Sequence, residues 1–392
     1  MEFETLLKAS DSAIKGVSWK SSTQTYYLKR LVWTSNTYKK LKDKTYKTKG
    51  YKEFTIHERG KLRLIRSNHI SDRVVQKAFN QQVLKPKIYP KLIYDNGASR
   101  EGMGTDFALK RMKVHLQKHY RQYGNNGYVL LLDFSNYFGN IDKEILLHKL
   151  SKVLMEEELY FMKVFLSQDH QGLGLGSEVN QTCAIFYAND VDHFIKEKLH
   201  IKYYGRYMDD SYLIHPSKKY LERCLVWIRE VCKRDGIILN ERKCKIVNIK
   251  SDNIRFLKKQ IRITDGGKII VRPIKENYTR RTRILKNQSA LLNKGVITQR
   301  DIDLSYSTWR GFVAKYNAPY YIIKQEDELY RLCREGLYMT DEQIVKSIKQ
   351  LQENLNDLTQ RVESLLLQKH NENSEAIDDI VITMLGGDSS EG

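Results

Sequence analysis

Apolar and polar positions alternate on both sides of an acidic turn, Tyr207-Met208-Asp209-Asp210, with Ile201 to Arg206 leading in and Ser211 to Ile214 leading out. This period-two pattern predicts a β-hairpin over 202–215 with two adjacent carboxylates at its tip. Upstream, Leu130-Leu131-Leu132 is a continuous apolar run that closes on Asp133, the pattern of a strand over 128–133 buried on both faces. Phe54–His57 and Leu62–Ile65 predict a second hairpin over Glu58-Arg59-Gly60-Lys61, and Asp265-Gly266-Gly267 a third within 262–271. Helical spacing predicts a basic helical leader within 1–50, an amphipathic helix over 70–84, then a loop containing Pro86 and Pro90. Further helices are expected from Thr105-Asp106, over 142–154, 178–199 and 217–234, and near 275–335. Strands separated by helices, with a hairpin among them, make an α+β sandwich.

The C-terminal region carries a different pattern. Ile344, Ile348, Leu351, Leu355, Leu358, Val362 and Leu365 recur at alternating intervals of four and three, a three-heptad stripe that predicts a coiled-coil helix. From Asn371 onward the chain is acidic and polar, the composition of a flexible tail.

Two acids in a turn are ordinary by themselves, because Asp bonds its own backbone and tolerates turn conformations. The second acidic strand end changes the reading. Hard cations such as Mg²⁺ take oxygen ligands from one or two carboxylates and leave room for substrate phosphates, so Asp133 with Asp209 and Asp210 suits nucleotidyl transfer.

These residues carry a family resemblance. Asp133 to Phe138 resembles the first catalytic motif of reverse transcriptases of the bacterial and phage type, and Tyr207 to Asp210 the second. Between them Gly172-Leu173-Gly174-Leu175-Gly176-Ser177-Glu178-Val179-Asn180-Gln181 resembles the template-and-nucleotide motif, and Leu239 to Lys245 with Phe256-Leu257-Lys258 the later palm motifs. Gly60 to Arg63 and Ser99 to Thr105 are similar to fingers motifs, so the resemblance runs from about residue 53 to about residue 320. It implies a right-hand polymerase fold: fingers over 51–127, palm over 128–260, helical thumb over 261–338, a coiled-coil helix over 339–370 and the tail over 371–392, behind the extension of residues 1–50.

The resemblance also implies roles. Two Mg²⁺ ions, with Mn²⁺ as a substitute, would sit on Asp133, Asp209 and Asp210 with the Phe134 carbonyl as an added ligand, and Lys243 would protonate the leaving pyrophosphate. Arg63 and Arg100 would grip the incoming triphosphate, Tyr207, Met208, Gly176 and Gln181 would line its site, and Phe138 would exclude a ribose 2′-hydroxyl. Lys61, the amides freed by Gly102 and Gly104, and Arg280, Arg281 and Arg283 would meet nucleic acid. Leu175 stands where many reverse transcriptases carry Gln. That departure resembles the enzymes of diversity-generating retroelements, which copy a template RNA with errors, particularly at adenines. A phage-defence enzyme with protein-primed or untemplated synthesis, and an RNA-binding scaffold with a silent centre, are the alternatives. Nothing similar to an endonuclease, RNase H or integrase segment accompanies the motifs.

Charge agrees with a nucleic-acid partner. Lys and Arg number 67 against 47 acids, a net +20, and since 371–392 holds six acids and no Lys or Arg, the preceding body carries +26. Such a surplus fits a chain that neutralises phosphates of template RNA and the cDNA duplex while using dNTPs. Tyr, at 25 residues against 12 Phe, suits surfaces that stack and hydrogen-bond at once. Five cysteines without CxxC spacing predict neither a disulfide framework nor a zinc site, which fits a reducing cytoplasm, bacterial or phage-encoded. No apolar run approaches the ~18 residues of a membrane span, and the first residues are acidic rather than basic. The heptads at 344–365 point to a homo-oligomer or a small accessory protein.

Overall fold

The computed structural model describes residues 2–58, 60–169, 171–333 and 348–369, and it divides into two compact units. Of the described residues, those up to 277 with 313–318 form the first, and 278–312 with 319–333 and 348–369 the second.

The first unit opens with three helices, α1 (Phe3–Ile14), α2 (Ser21–Leu28) and α3 (Arg30–Lys42). Leu6, Ala9 and Ala13 of α1 recur on one face and are buried, which is why this basic leader packs instead of trailing. A two-stranded antiparallel sheet follows, β1 (Tyr51–Glu58) and β2 (Lys61–Asn68), joined in register from Tyr51 opposite Asn68 to Glu58 opposite Lys61. Phe54, Ile56, Leu62 and Leu64 of this hairpin remain exposed.

Next comes α4 (Ile70–Phe79), capped by the His69 ring, which accepts from the Ser71 amide. The loop expected at Pro86 and Pro90 is instead helical: a π-turn over Asn80–Leu84 leads into α5 (Lys85–Ile88) and a 3₁₀ turn over Tyr89–Lys91. Pro86 lies in the first turn of α5, where its missing amide costs no hydrogen bond, and the wide turn ahead of it accommodates the ring. The long helix α6 (Thr105–Tyr123) then leads to the central sheet.

That sheet has four antiparallel strands in the order β4–β5–β3–β6, formed by β3 (Tyr128–Asp133), β4 (Tyr203–Tyr207), β5 (Asp210–His215) and β6 (Lys245–Asn248). The apolar run of β3 faces two cores. Leu130 and Leu132 pack with Leu146, Leu150, Val179 and Cys183, while Val129 and Leu131 pack with Leu109, Met112 and Leu116 of α6. Each such side chain contributes about 1.5–3 kcal/mol by leaving water, so β3 is fixed by burial on both sides.

Between β3 and β4 lie α7 (Lys143–Ser151), α8 (Glu156–Leu166), α9 (Glu178–Tyr187) and α10 (Asn189–His193). The continuous helix expected over 178–199 is broken at Ala188 and ends in a π-turn over Phe194–Lys198. The carbonyl freed at the break, that of Tyr187, accepts from the buried Lys149 Nζ at 2.9 Å, and Lys149 itself pairs with Asp235 at 2.7 Å. Helix α8 was not foreseen, although its buried Phe161, Met162, Phe165 and Leu166 recur at helical i, i+4 spacing.

The expected helix after the hairpin is α11 (Lys218–Arg234), capped by Ser217. A three-stranded sheet, β7 (Ile254–Phe256), β8 (Lys259–Ile263) and β9 (Ile269–Pro273), contains the Asp265-Gly266-Gly267 turn and buries Ile261, Ile263 and Val271 in the core that also holds α6.

The second unit contains most of α12 (Lys275–Asn293), with α13 (Gln299–Ala314) and α14 (Pro319–Cys333), around Leu285, Ile302, Tyr306, Leu329 and Cys333. Residues 348–369 form a further helix, α15, whose residues are all exposed. Ile344 of the expected heptad stripe and the tail expected over 371–392 lie outside the described residues. Among the described residues no helix is long and apolar enough to cross a membrane.

Candidate functional site

The site is built on the register of β3 against β5, which sets Asp133 directly opposite Asp210. Cross-strand neighbours in an antiparallel pair share one face of the sheet, so the two carboxylates project to the same side. The chain then turns between β4 and β5 in two residues, Met208 and Asp209, and the Asp209 carbonyl accepts from the Phe134 amide at 3.2 Å. Asp209 is thereby tied to the same strand end. Met208 carries φ of +54°, a conformation that favours glycine at the first position of a two-residue hairpin loop. Such a strained residue costs on the order of 1–3 kcal/mol and persists where the surroundings impose it.

Arg206, fully buried in β4, reaches this turn. Its Nε and Nη2 donate to the two oxygens of Asp192, each at 2.7 Å, its Nη2 also donates to the Ile185 carbonyl at 2.7 Å, and its Nη1 to the Met208 carbonyl at 3.0 Å. Tyr204 adds a 2.6 Å hydrogen bond to the same Asp192. This cluster was not identified from the sequence; the available signal was an arginine amid the buried Tyr203-Tyr204-Gly205 of a strand.

The three carboxylates are crowded together, Asp133 buried and Asp209 and Asp210 half-buried. Burial pushes the Asp210 carboxyl up to about 7, with Asp209 and Asp133 adding to the shift. Burial likewise raises Asp209, with Asp133 adding to the shift and Lys243 and Arg63 opposing it. Asp133 is buried and held by two donors, Asn240 Nδ2 at 3.0 Å and Lys243 Nζ at 2.7 Å. Burial works against the Lys243 charge, but the Asp133 carboxylate outweighs it and raises the lysine's pKa. Among the described residues no three His, Cys, Asp or Glu side chains form a ready cation cage. The donor set still fits Mg²⁺, which binds through one or two carboxylates and completes its shell with water and substrate phosphates, and mutually repelling carboxylates gain from a cation between them.

The loop over 172–177 is clamped to the β1–β2 hairpin. The Arg66 amide donates to the Leu175 carbonyl at 2.9 Å, Ile65 bridges Leu175, and the Arg66 guanidinium pairs with the buried Asp169 at 2.7 Å. Asn180 donates to Asp169 and to the Gly174 carbonyl, which ties the loop to the start of α9. Gly176, at φ +123°, comes so close to β2 that a side-chain carbon there would lie 2.6 Å from the Arg66 carbonyl oxygen. Leu175 is half-buried, Gln181 is exposed and accepts from Ser99 at 3.3 Å, and Tyr207 is half-buried beside the turn. Phe138 is half-buried, T-shaped against Tyr137, and its carbonyl accepts from the Leu173 amide at 2.8 Å.

The arginines separate into different environments. Arg63 pairs with Glu58 at 2.7 Å and its charge reaches Asp209. Arg100 turns inward: its Nη1 donates to the Ile93 and Asn96 carbonyls at 3.3 and 3.1 Å, and burial lowers its pKa. This bracing of the 93–96 turn takes up one end of the fork expected to hold triphosphate. Lys61 opens β2, and Gly102 and Gly104, at φ +70° and +143°, precede α6. In the second unit Arg280 and Arg283 are exposed on α12. Arg281 corrects the expectation of a duplex contact: it is buried, donates to Ser305 at 2.9 Å and stacks over Tyr306, because its position in α12 points into the helical core rather than along the exposed face.

The model of the family described as reverse transcriptase (RNA-dependent DNA polymerase) matches residues 44–261. Among solved structures, telomerase from Candida albicans in complex with a TWJ fragment of telomeric RNA is similar at 12% identity and a TM-score of 0.45, over 79% of this chain and 63% of that one. Apo telomerase from Candida tropicalis, truncated from its C-terminal domain, is similar at 15% identity and a TM-score of 0.43, over 56% of this chain and 54% of that one. The chain thus spans less than two thirds of the length of these telomerases. No curated protein matches it.

A pH test follows from Asp210. Its folded pKa, about 7, lies above the ordinary carboxylate value of 3.8, so the folded state holds a proton that the unfolded state has lost. Metal-free stability should therefore fall as pH rises from about 4 to about 7 and stay low above that. Asp210→Asn is expected to raise the melting temperature at pH 8 and to leave it nearly unchanged at pH 4; equal effects at both would remove the repulsion argument.

Proposed function

The chain belongs to the reverse transcriptase family, and from that premise we propose that it is an RNA-directed DNA polymerase that copies an RNA template into cDNA by metal-assisted nucleotidyl transfer. The observation that carries this reading is the register of β3 and β5, which sets Asp133 beside Asp210 with Asp209 tied to the same strand end. Asp133, Asp209 and Asp210, with the Phe134 carbonyl, would hold Mg²⁺. Bound there, the metal would favour deprotonation of a primer 3′-hydroxyl and neutralise charge on the leaving pyrophosphate. Lys243, kept cationic by Asp133, supplies a proton to that pyrophosphate. Arg63 meets the incoming triphosphate, and the Phe138 ring selects deoxynucleotides by occupying the space of a 2′-hydroxyl. Lys61, Gly102, Gly104, Arg280 and Arg283 meet template and duplex.

Extension of a DNA primer on an RNA template with dNTPs and Mg²⁺ tests the reading. Wild-type protein should extend, and Asp209→Asn should lose about 10²–10³-fold in rate, the scale of removing a group that positions and neutralises transition-state charge. Wild-type protein that binds primer–template tightly but never extends it would instead favour the silent scaffold.

We further propose low fidelity of the kind associated with diversity-generating retroelements. The supporting feature is Leu175, an apolar side chain in a loop bonded through its carbonyl to Arg66, where a Gln would offer an amide. Discrimination comes largely from polar groups that a wrong partner leaves unpaired, so Leu175→Gln should lower misincorporation opposite template adenine by about tenfold. An unchanged error spectrum on sequencing of the cDNA would exclude this role for Leu175.

Helix α15 supports self-association. Ile348, Leu355 and Val362 take the a positions and Leu351, Leu358 and Leu365 the d positions; two of the three a residues are β-branched and every d residue is Leu, close to the pattern of parallel two-stranded coils. The flanking Gln352, Asn354, Thr359, Arg361 and Leu366 bring no like-charged pair together in that arrangement. A second copy is therefore the proposed occupant. Light scattering should give a dimer for wild-type protein and a monomer for the Leu355→Lys, Leu358→Lys double variant; a monomeric wild type would leave the stripe without this function.

A further inference from the structure

We propose that Arg206, anchored by Asp192, is a positioning residue that fixes the Met208 carbonyl and so sets the placement of the two aspartates that follow it. This goes beyond the polymerase assignment to the device that aims its carboxylates, and rests on that assignment only for its kinetic readout. The guanidinium is held independently of the turn. The Arg206 amide donates to the Asp95 carbonyl at 3.1 Å and its carbonyl accepts from the Gly97 amide at 3.1 Å, which closes the outer edge of β4, while Ser211 pairs with it from β5. Its head is fixed by the two-point contact with Asp192 and by the Ile185 carbonyl. One contact alone leads outward, from Nη1 to the Met208 carbonyl.

That geometry links two parts of the site. Ile185 lies in the last turn of α9, whose first turn follows the Leu175-Gly176 loop, and Met208 begins the metal-binding turn. Arg206 therefore measures the distance between the nucleotide-side helix and the aspartates with one rigid, planar fork. A buried ion pair is poor evidence of stabilisation, since well-packed apolar replacements are often neutral. The outward contact is what an apolar pair could not reproduce.

Two variants separate positioning from folding. In the triple variant Asp192→Leu, Tyr204→Phe, Arg206→Met the whole buried cluster becomes apolar, so no charge or hydroxyl is stranded. In Arg206→Lys the partner Asp192 stays paired, but one ammonium cannot reach Asp192, Ile185 and Met208 together. The readouts are the melting temperature, hydrogen exchange at 207–210 in metal-free protein, and kcat and KM for dNTP. Both variants are expected to show faster exchange at 207–210 and a kcat lower by about tenfold or more, with KM for dNTP within about threefold, as misplacement of reacting groups predicts. The triple variant should melt close to wild type. Wild-type exchange and wild-type kcat in a folded triple variant would overturn the proposal. If the triple variant fails to fold, Arg206→Lys decides alone, and wild-type exchange and kcat there overturn it equally. Faster exchange with an inactive wild-type enzyme would retain the turn-fixing role while the polymerase assignment fails.

Discussion

The structure depends on the alignment of β3 with β5. Side chains on a strand alternate faces, so a slip of one residue would send Asp210 to the opposite side of the sheet from Asp133 and exchange the two cores that β3 serves. The register is held by the apolar residues of β3, with Leu130 and Leu132 in one core and Val129 and Leu131 in the other. Burial of those four residues outweighs the unfavourable gathering of three carboxylates at the strand ends. The chemistry is thus located where the fold can carry its cost, at the tip of the most thoroughly buried strand.

Around that axis, most polar contacts near the site hold parts in place. Asn240 and Lys243 hold Asp133, Arg206 holds the turn, and Asp169 holds both Arg66 and Asn180 beside the Leu175 loop. Such preorganisation would serve the proposed nucleotidyl transfer, which relies on position and charge more than on the strength of an acid or base. The second unit supplies exposed Arg280 and Arg283 on one face of α12 and closes its own core with the opposite face, where Arg281 lies.

Much of this was legible in sequence because it is local. The acidic hairpin, the apolar strand ending at Asp133 and the Asp-Gly-Gly turn each follow from periodicity and turn chemistry within a dozen residues. What escaped notice depends on packing that periodicity does not report, some of it local and some between distant residues. Pro86 reads as a loop until the π-turn over Asn80–Leu84 is seen to make room for it, and the break at Ala188 makes sense only once Lys149 is found against the Tyr187 carbonyl. Arg281 reads like Arg280 and Arg283 until helical phase assigns it inward. Arg206 is charged where its strand is buried, and nothing near it in sequence announces that Asp192 is its counterion.

The β1–β2 hairpin behaves as a cantilever. It is clamped at its base, where Arg66 bonds the Leu175 carbonyl and Asp169 and where the Tyr51 hydroxyl reaches the Gln168 carbonyl at 3.0 Å, while Phe54, Ile56, Leu62 and Leu64 stand in solvent toward its free end. Its root is bonded to the loop that bears Leu175, so the exposed apolar strip and that loop are the two ends of one clamped element.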